Sequence, residues 1–509
     1  MKYKELRKKY PKFVYEKYSY RISGNPRTRA FGSVRGRNLE IFFNFKIEPN
    51  IYFQPKIIIE NLNASQIKKV GVDSPGVLNN LVFHLGLMEI PSYWKATCSP
   101  EILIKAGPLS MKASPSSPSS TNLRFVSINK EQIDWWKDLI IKGMGQFFYE
   151  NKINFTHPNF FKIISPTPEQ NWSRTVLDQS NDKVLVPVGG GKDSVVTLEL
   201  LKKAGKQIRC FSLNPTEAAL KIMKLAGCKR PLIVRREIDE KLLELNRQGF
   251  LNGHTPFSAY LAFLSVLVAT IFGQRYIAFS NERSSNEGNV KYLGKVINHQ
   301  WSKSFEFEQK FRKYSKKYLT PSPKFGGGLE YFSFLRPLYE IQIAKLFSKY
   351  PKYFNAFLSC NVAYQTVSGT KLPAKKWCGN CSKCLFVFTI LYPFVEEKKL
   401  IKIWGRNLFE NKNLLPIMQE LIGERKFKPF ECVGTEKESL IAFYLSWKKA
   451  KSGQELFLTK LPFLLRYFEE KIMPKYLNLE KESKKLMSSW NAQNNSPKDF
   501  EKILKTSLL

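Results

Sequence analysis

The run Gly189-Gly190-Gly191-Lys192-Asp193-Ser194 holds the groups that a phosphate site needs. Glycine lacks a Cβ, so the chain can turn sharply there and approach an anion closely. Lys183–Val188 reads as a short apolar strand and Asp193–Ala204 as a helix ending at Gly205. The loop therefore falls at a helix N-terminus, where unpaired N–H groups and the positive dipole end attract negative charge. Lys192 can meet phosphate charge, Asp193 can hold magnesium or cap the helix, and Ser194 can donate a hydrogen bond. A plain tight turn with a capping aspartate is the simpler reading, but it gives no role to the lysine and serine. The spacing fits neither G-x-x-x-x-G-K-[ST] nor G-x-G-x-x-G.

A second group is Cys378-Gly-Asn-Cys381-Ser-Lys-Cys384, with Cys360 upstream. Four thiolates make a closed tetrahedral zinc site, which would be structural, and Gly379 eases the turn. An iron–sulfur cluster is the competing occupant of a C-x2-C-x2-C run. Cys98, Cys210, Cys228 and Cys432 stand apart from this group and are expected to be core thiols.

Polar stretches follow or precede predicted apolar elements. Ser280–Asn289 comes directly after the strand Arg275–Phe279 and offers Asn281, Glu282, Arg283, Ser284, Asn286 and Asn289 to line a ligand cleft. Asn252-Gly253-His254-Thr255-Pro256 precedes a long apolar helix, and His299–Glu306 is a polar–aromatic stretch. His254, Glu282 and His299 are the candidates for proton transfer. His84 and His157 are expected to be structural.

The elements that must position these residues follow from periodicity. Between 183 and 345, strands at Lys183–Val188, Gln207–Leu213, Pro231–Val234 and Arg275–Phe279 alternate with helices at Asp193–Ala204, Thr216–Ala226 and Phe257–Phe272. That alternation predicts an α/β unit, a parallel sheet with helices on both faces. Ligands of such sheets sit outside the carboxyl ends of the strands. Those ends fall at Gly189, Asn214, Arg235 and Ser280, which adds Asn214 to the nucleotide-binding candidates. Residues 1–175 are expected to form a flanking α+β domain. Leu39, Ile41, Phe43, Phe45 and Ile47 mark a half-buried strand, Ile51–Glu60 its partner, and Ile133–Tyr149 a helix. Asn25–Gly36, with Arg27, Arg29 and Arg35, and the Ser/Pro-rich Ser114–Thr121 interrupt this domain as loops, and a boundary is expected near Pro166–Asp182. Residues 346–509 read as a helical domain carrying the cysteine cluster, and residues 176–345 as the nucleotide-binding domain between the two.

A chain of 509 residues exceeds one compact core, in keeping with this division. The net charge of +38 is spread along the sequence rather than gathered in a stripe. That favours an anionic small substrate over a nucleic acid, the other partner such a charge would suit. The longest apolar run, Leu261–Phe272, is too short to span a bilayer, so no membrane association is expected. The N-terminal MKYKELRKKYPKF lacks the apolar core of a secretory signal. A cytoplasmic location with eight reduced cysteines is expected from this.

The glycine run resembles the PP-loop motif S-G-G-x-D-S of ATP pyrophosphatases. Gly190, Gly191, Asp193 and Ser194 match it, and Gly189 stands where that motif has its leading serine. The resemblance implies an adenine nucleotide α-hydrolase-like fold and cleavage of ATP to AMP and pyrophosphate. A longer series is similar to the MurL family, the ATP-dependent UDP-N-acetylmuramoyl-L-alanyl-L-glutamate epimerases. It comprises Leu81–Ala106, GGGKDS, Gly253–Ala259, Ser280–Asn289, His299–Glu306, Trp377–Phe388 and Lys428–Gly434, and their order carries the likeness. Asn25–Gly36 and Ser114–Thr121 depart from that pattern.

The family resemblance implies inversion of the terminal L-glutamate of a peptidoglycan precursor through an acyl-adenylate, in cell-wall biogenesis and the maintenance of cell shape. It implies ATP, magnesium held by Asp193, structural zinc, and a UDP-sugar-peptide substrate whose sugar-nucleotide end meets the N-terminal domain. A PP-loop enzyme that thiolates tRNA or makes a deazaguanine is the second reading, since the latter enzymes carry a similar late cysteine cluster. No compact RNA-binding module with aromatic platforms supports it.

Overall fold

Alternating side chains set the first strands. In β2 (Arg37–Ile47), which pairs with β1 (Lys12–Gly24), Leu39, Ile41, Phe43, Phe45 and Ile47 are all buried. A computed structural model of the chain describes residues 3–24, 37–68, 75–108, 127–166, 182–320, 328–367, 369–371, 373–425, 427–452 and 460–508. The loops expected at Asn25–Gly36 and Ser114–Thr121, and the boundary expected between Pro166 and Asp182, lie outside the described residues. The single partner strand expected at Ile51–Glu60 is two strands, β3 (Ile51–Phe53) and β4 (Lys56–Leu62), both antiparallel to β2. Pro55 separates them, because proline has no N–H to give a ladder. β5 (Glu101–Pro108) and β6 (Lys162–Ile164) extend the sheet in parallel beyond β1.

The second half supplies β7 (Val184–Pro187), β8 (Ile208–Leu213), β9 (Leu232–Glu237) and β10 (Tyr276–Phe279). A small hairpin of β11 (Val290–Tyr292) and β12 (Lys295–Ile297) follows, and then β13 (Glu330–Ser333). Five of these run parallel in the order β13-β10-β7-β8-β9. Leu185 of β7 points into one apolar core and Val184 and Val186 into the other, so the sheet is covered on both faces. The helices Pro75–Trp94 and Phe257–Phe272 contribute to the first core. The helices Lys192–Lys203, Glu340–Ser348, Ser382–Leu391 and Glu436–Ser452 contribute to the second.

β9 also pairs antiparallel with β4, which makes one mixed sheet of eleven strands. Charge fixes the join as well as the ladder: Arg235 of β9 donates Nε to Glu60 Oε1 of β4 at 2.5 Å, and Arg236 ties β9 to the helix Pro75–Trp94. Arg236 of β9 donates Nε to Glu89 Oε1 at 2.8 Å and a second bond to Oε2, and also reaches Ser92 Oγ at 2.8 Å. Glu89 is fully buried, so this two-pronged pair satisfies a charge that would otherwise be costly.

Two expectations about cysteine change. Cys210, within β8, and Cys228 are joined by a disulfide, with Cα atoms 6.2 Å apart. The helix between them, Glu217–Leu225, returns the chain to the strand it left. Cys432 is not in a core; it is partly exposed. Cys98 is a buried free thiol, as expected. Among the described residues, no helix is long and apolar enough to cross a membrane.

Candidate active site

β7 is the first strand of the parallel set and lies at its middle, with β8 on one side and β10 on the other. Strand order reverses between β7 and β10, and a crevice opens there outside the carboxyl ends. Both the glycine loop, after β7, and the Ser280–Asn289 stretch, after β10, fall at that crevice.

The loop's geometry demands its glycines at one position above all. Gly190 has φ +98°, and a Cβ there would lie 3.0 Å from Ala219 N and 3.1 Å from Ala218 Cβ. Gly191 is the N-cap of the helix Lys192–Lys203. A Cβ on Gly189 would meet nothing within 4 Å, so the face of the loop at that residue is open. Gly190 O accepts from Leu358 N at 2.9 Å, which latches the loop to the segment leading into Cys360. Ser194 Oγ donates to Gly191 O at 2.9 Å, and Asn214 pairs with the Arg236 backbone through both ends of its amide, tying β8 to β9.

Lys192 is 2% exposed and ion-paired to Asp193 and to Glu340, itself 1% exposed. Burial opposes the lysine charge, yet the two carboxylates hold the ammonium above the usual lysine value. Lys383, from the helix Ser382–Leu391, reaches the other Glu340 oxygen at 3.6 Å. Burial and the neighbouring Glu340 and Glu282 raise the Asp193 carboxyl to about 6 against the pull of Lys192. Burial likewise raises Glu282, with Glu340 and Cys432 adding to it and Lys303 and Lys383 opposing. Three carboxylates and three lysines thus meet behind the glycine loop, a set suited to phosphate and a divalent cation together.

The side chains of the Ser280–Asn289 stretch shape this wall. Asn281 Nδ2 donates to Ser333 Oγ at 3.0 Å, and Ser284 Oγ to Glu438 Oε2 at 2.8 Å. Asn286 Oδ1 accepts from Phe305 N, and Asn289 bridges Pro429 O and His299 N, each bond at 2.8 Å. Arg283 lies over the Tyr339 ring at 4.5 Å. Arg336, fully buried, draws the wall together. It donates to Glu282 O at 2.6 Å, Ser285 Oγ at 2.7 Å and Lys303 O, and pairs with Glu308 at 3.3 Å. Arg336→Met should therefore cost about 3–5 kcal/mol, read as a lower urea midpoint, because the buried Glu308 loses its counter-charge and keeps only Asn495, and two carbonyls each lose one of two donors. Lysine at 336 should not restore it, since one ammonium cannot reproduce the guanidinium fork.

His254 and His299 pack together, with ring centroids 4.6 Å apart and the rings tilted by 54°. Burial, and His299 beside it, lower His254 to about 3; burial, and then Lys303, lower His299 to about 4. Both are therefore neutral near pH 7 and are competent proton acceptors in their charge state. His84 is structural, with Nδ1 2.8 Å from Asn80 O and Nε2 3.0 Å from Tyr314 Oη. His157 is exposed and caps a turn by accepting from Asn159 N.

The four cysteines form one group. Cys360, Cys378, Cys381 and Cys384 place their sulfurs within 4.8 Å of one another. Individual separations are 3.8 Å for Cys360–Cys381, 3.7 Å for Cys360–Cys384 and 3.6 Å for Cys378–Cys384. A tetrahedral ion bonded to sulfur at about 2.3 Å sets its ligands about 3.8 Å apart, so the group fits a single metal ion. Backbone N–H groups of Ala363, Gly379 and Asn380 lie 3.3–3.4 Å from the sulfurs, and Gly379 takes the left-handed turn, with φ +68°.

The sequence does not mark Lys303, Arg336, Glu340 or Lys383 as site residues, and it places Cys432 only among the core thiols. Lys303, Lys383 and Cys432 lie inside stretches that carry the family likeness, which was their signal; Glu340 has none.

Comparison with known proteins bears on this arrangement. A family model of the MurL N-terminal domain matches residues 115–334, and one of the MurL C-terminal domain matches residues 356–465. The chain belongs to the MurL family. Three relatives carry the name UDP-N-acetyl-alpha-D-muramoyl-L-alanyl-L-glutamate epimerase. The match to that of a Micromonospora species is 35% identical and covers 60% of this chain and 65% of the relative. That of Salinispora tropica is 34% identical over 60% and 64%, and that of Xanthomonas oryzae pv. oryzae 31% identical over 78% and 80%. The chain thus spans just under two thirds of the length of the first two relatives. The MurL C-terminal match contains all four clustered cysteines and Cys432, and the N-terminal match contains the glycine loop and both paired histidines.

Proposed function

We propose that this MurL-family protein is a cytoplasmic, ATP-dependent epimerase. It inverts the terminal L-glutamate of UDP-N-acetylmuramoyl-L-alanyl-L-glutamate, releasing AMP and pyrophosphate, in peptidoglycan precursor synthesis. The observation that carries this reading is the buried Lys192 between two carboxylates, directly behind an open glycine loop at the reversal of strand order. A free carboxylate keeps its α-proton very weakly acidic, because removing it would put a second negative charge on the same few atoms. Adenylation removes the first charge, and the α-proton comes within reach of a general base. The loop N–H groups and Lys192 hold the departing pyrophosphate, and Asp193, with Glu282 nearby, is suited to hold magnesium that neutralises it. Nothing in this wall requires a nucleic acid. The four-cysteine group, with sulfur separations fitting one tetrahedral ion, is assigned to structural zinc. The N-terminal domain, residues 1–175, is assigned to the sugar-nucleotide end of the substrate.

The test is incubation with ATP, magnesium and this substrate in heavy water. AMP, pyrophosphate and D-glutamate bearing deuterium at the α-carbon are expected. ADP as the product, or a D-centre without deuterium, would sink the reading.

A further inference from the structure

The epimerase reading leaves open which group takes the α-proton, and the structure holds an arrangement it has not used. Cys432 Sγ accepts from Lys303 Nζ at 3.2 Å and lies 3.9 Å from His299 Nε2. His299 Nδ1 meets Gln146 Oε1 at 2.5 Å, and Gln146 Nε2 donates to Glu150 Oε1 at 2.7 Å. The carboxylate fixes the Gln146 amide with its oxygen toward the ring. Nδ1 therefore carries the imidazole proton, and Nε2 presents a lone pair to the thiol. A thiol, a base within reach of it and a third group orienting the base form the pattern that activates sulfur.

This thiol also lies close to the phosphate loop in terms of contacts. Cys432 O accepts from Lys383 Nζ, Lys383 pairs with Glu340, and Glu340 pairs with Lys192. The neighbouring Glu431 accepts from Lys383 N at 2.6 Å, so the segment is fixed at both residues. Cys432 is partly exposed, as a group that meets substrate must be.

We propose that Cys432 is the proton acceptor of the epimerisation, with Lys303 and His299 positioning it and holding it as thiolate. This rests on the epimerase reading of the same site. The α C–H bond breaks and an S–H bond forms, and the electron pair moves onto the acyl oxygen of the activated glutamate. A proton drawn from water then bonds the α-carbon from the opposite face and the pair returns, after which water attacks the acyl carbon and AMP leaves, restoring the free carboxylate. The thiol gives its proton to water through His299, so one α-proton is exchanged for one solvent proton and nothing is oxidised or reduced.

The test separates adenylation from proton transfer. Exchange of labelled pyrophosphate into ATP, dependent on the muramoyl dipeptide nucleotide, reports adenylation and folding together. Deuterium entry at the α-carbon reports the proton step. Cys432→Ser should keep the first and lose the second by about a hundredfold or more. Lys303→Met should slow deuterium entry far more than pyrophosphate exchange, because the sulfur loses the ammonium that faces it at 3.2 Å. Deuterium entry at the wild-type rate in Cys432→Ser would overturn the proposal. So would a glutamyl adduct trapped on Cys432, which would make the sulfur a nucleophile instead. Absence of pyrophosphate exchange in the wild-type protein would instead remove the epimerase reading on which the proposal stands.

Discussion

Lys192→Met should unfold the protein more easily by about 3–5 kcal/mol and should abolish AMP formation, and the two effects should be separable. Lys192 and Glu340 are 2% and 1% exposed, so losing the ammonium leaves a carboxylate in a place that water does not reach. Asp193 is better placed, with 26% of its side chain exposed, and can recover some hydration. A second change, Glu340→Met, removes the stranded charge. Replacing both members of a buried pair by apolar residues of similar volume is often neutral or stabilising. The double variant should therefore recover most of the lost urea midpoint while remaining inactive. Lys383 keeps it from full recovery, since it loses a partner at 3.6 Å. A double variant as unstable as the single one would mean that the cost lies in packing, not charge. An active double variant would remove Lys192 from the chemistry.

Much of the scaffold was legible because it is written in local periodicity. The strands β7, β8, β9 and β10 fall where apolar runs bounded by glycine or polar turns placed them, and Gly205, Gly227 and Gly273 follow the helices they were expected to end. The join between β4 and β9 was not legible. Each strand reads as an acceptable edge, and what joins them besides the ladder is Arg235 finding Glu60 across 175 residues. The cluster behind the loop was hidden for the same reason. Glu340 is separated from Lys192 by 148 residues and carries no mark in its own neighbourhood; Cys432 is separated from His299 by 133 and carries only its place in the Lys428–Gly434 stretch. His254 and His299 were visible as candidates, but not the contact between their rings. The Ser280–Asn289 stretch was visible as polar at a strand's carboxyl end. That most of its side chains are bound inward, to Ser333, Glu438, Phe305 and Pro429, depends on elements up to 154 residues away. Polarity marks a wall as readily as a ligand contact.

Removing the metal should reach the ATP site as well as the fold. The purified protein is expected to hold one zinc per chain, and Cys384→Ser or strong chelation should remove it. Zinc contributes its binding free energy to folding, about 10–16 kcal/mol in small finger peptides. Here the same helices are also held by a large apolar core, so a smaller loss is expected, on the order of 5 kcal/mol, which for a domain of this size lowers Tm by about 10–20 °C. The coupling to ATP follows from the chain's path. Cys360 caps the helix Asn361–Tyr364, and Leu358, two residues before it, donates the bond that latches Gly190. Cys381 caps the helix Ser382–Leu391, whose Lys383 meets Glu340 and the Cys432 carbonyl. Without the metal, four thiols must hold these two helix starts by sulfur contacts alone. ATP-dependent thermal stabilisation should then weaken in the metal-free protein by more than the general loss of Tm explains. Unchanged ATP stabilisation in a metal-free sample would make the cluster a remote staple, and iron together with inorganic sulfide would overturn its assignment as a single-ion tetrahedral site.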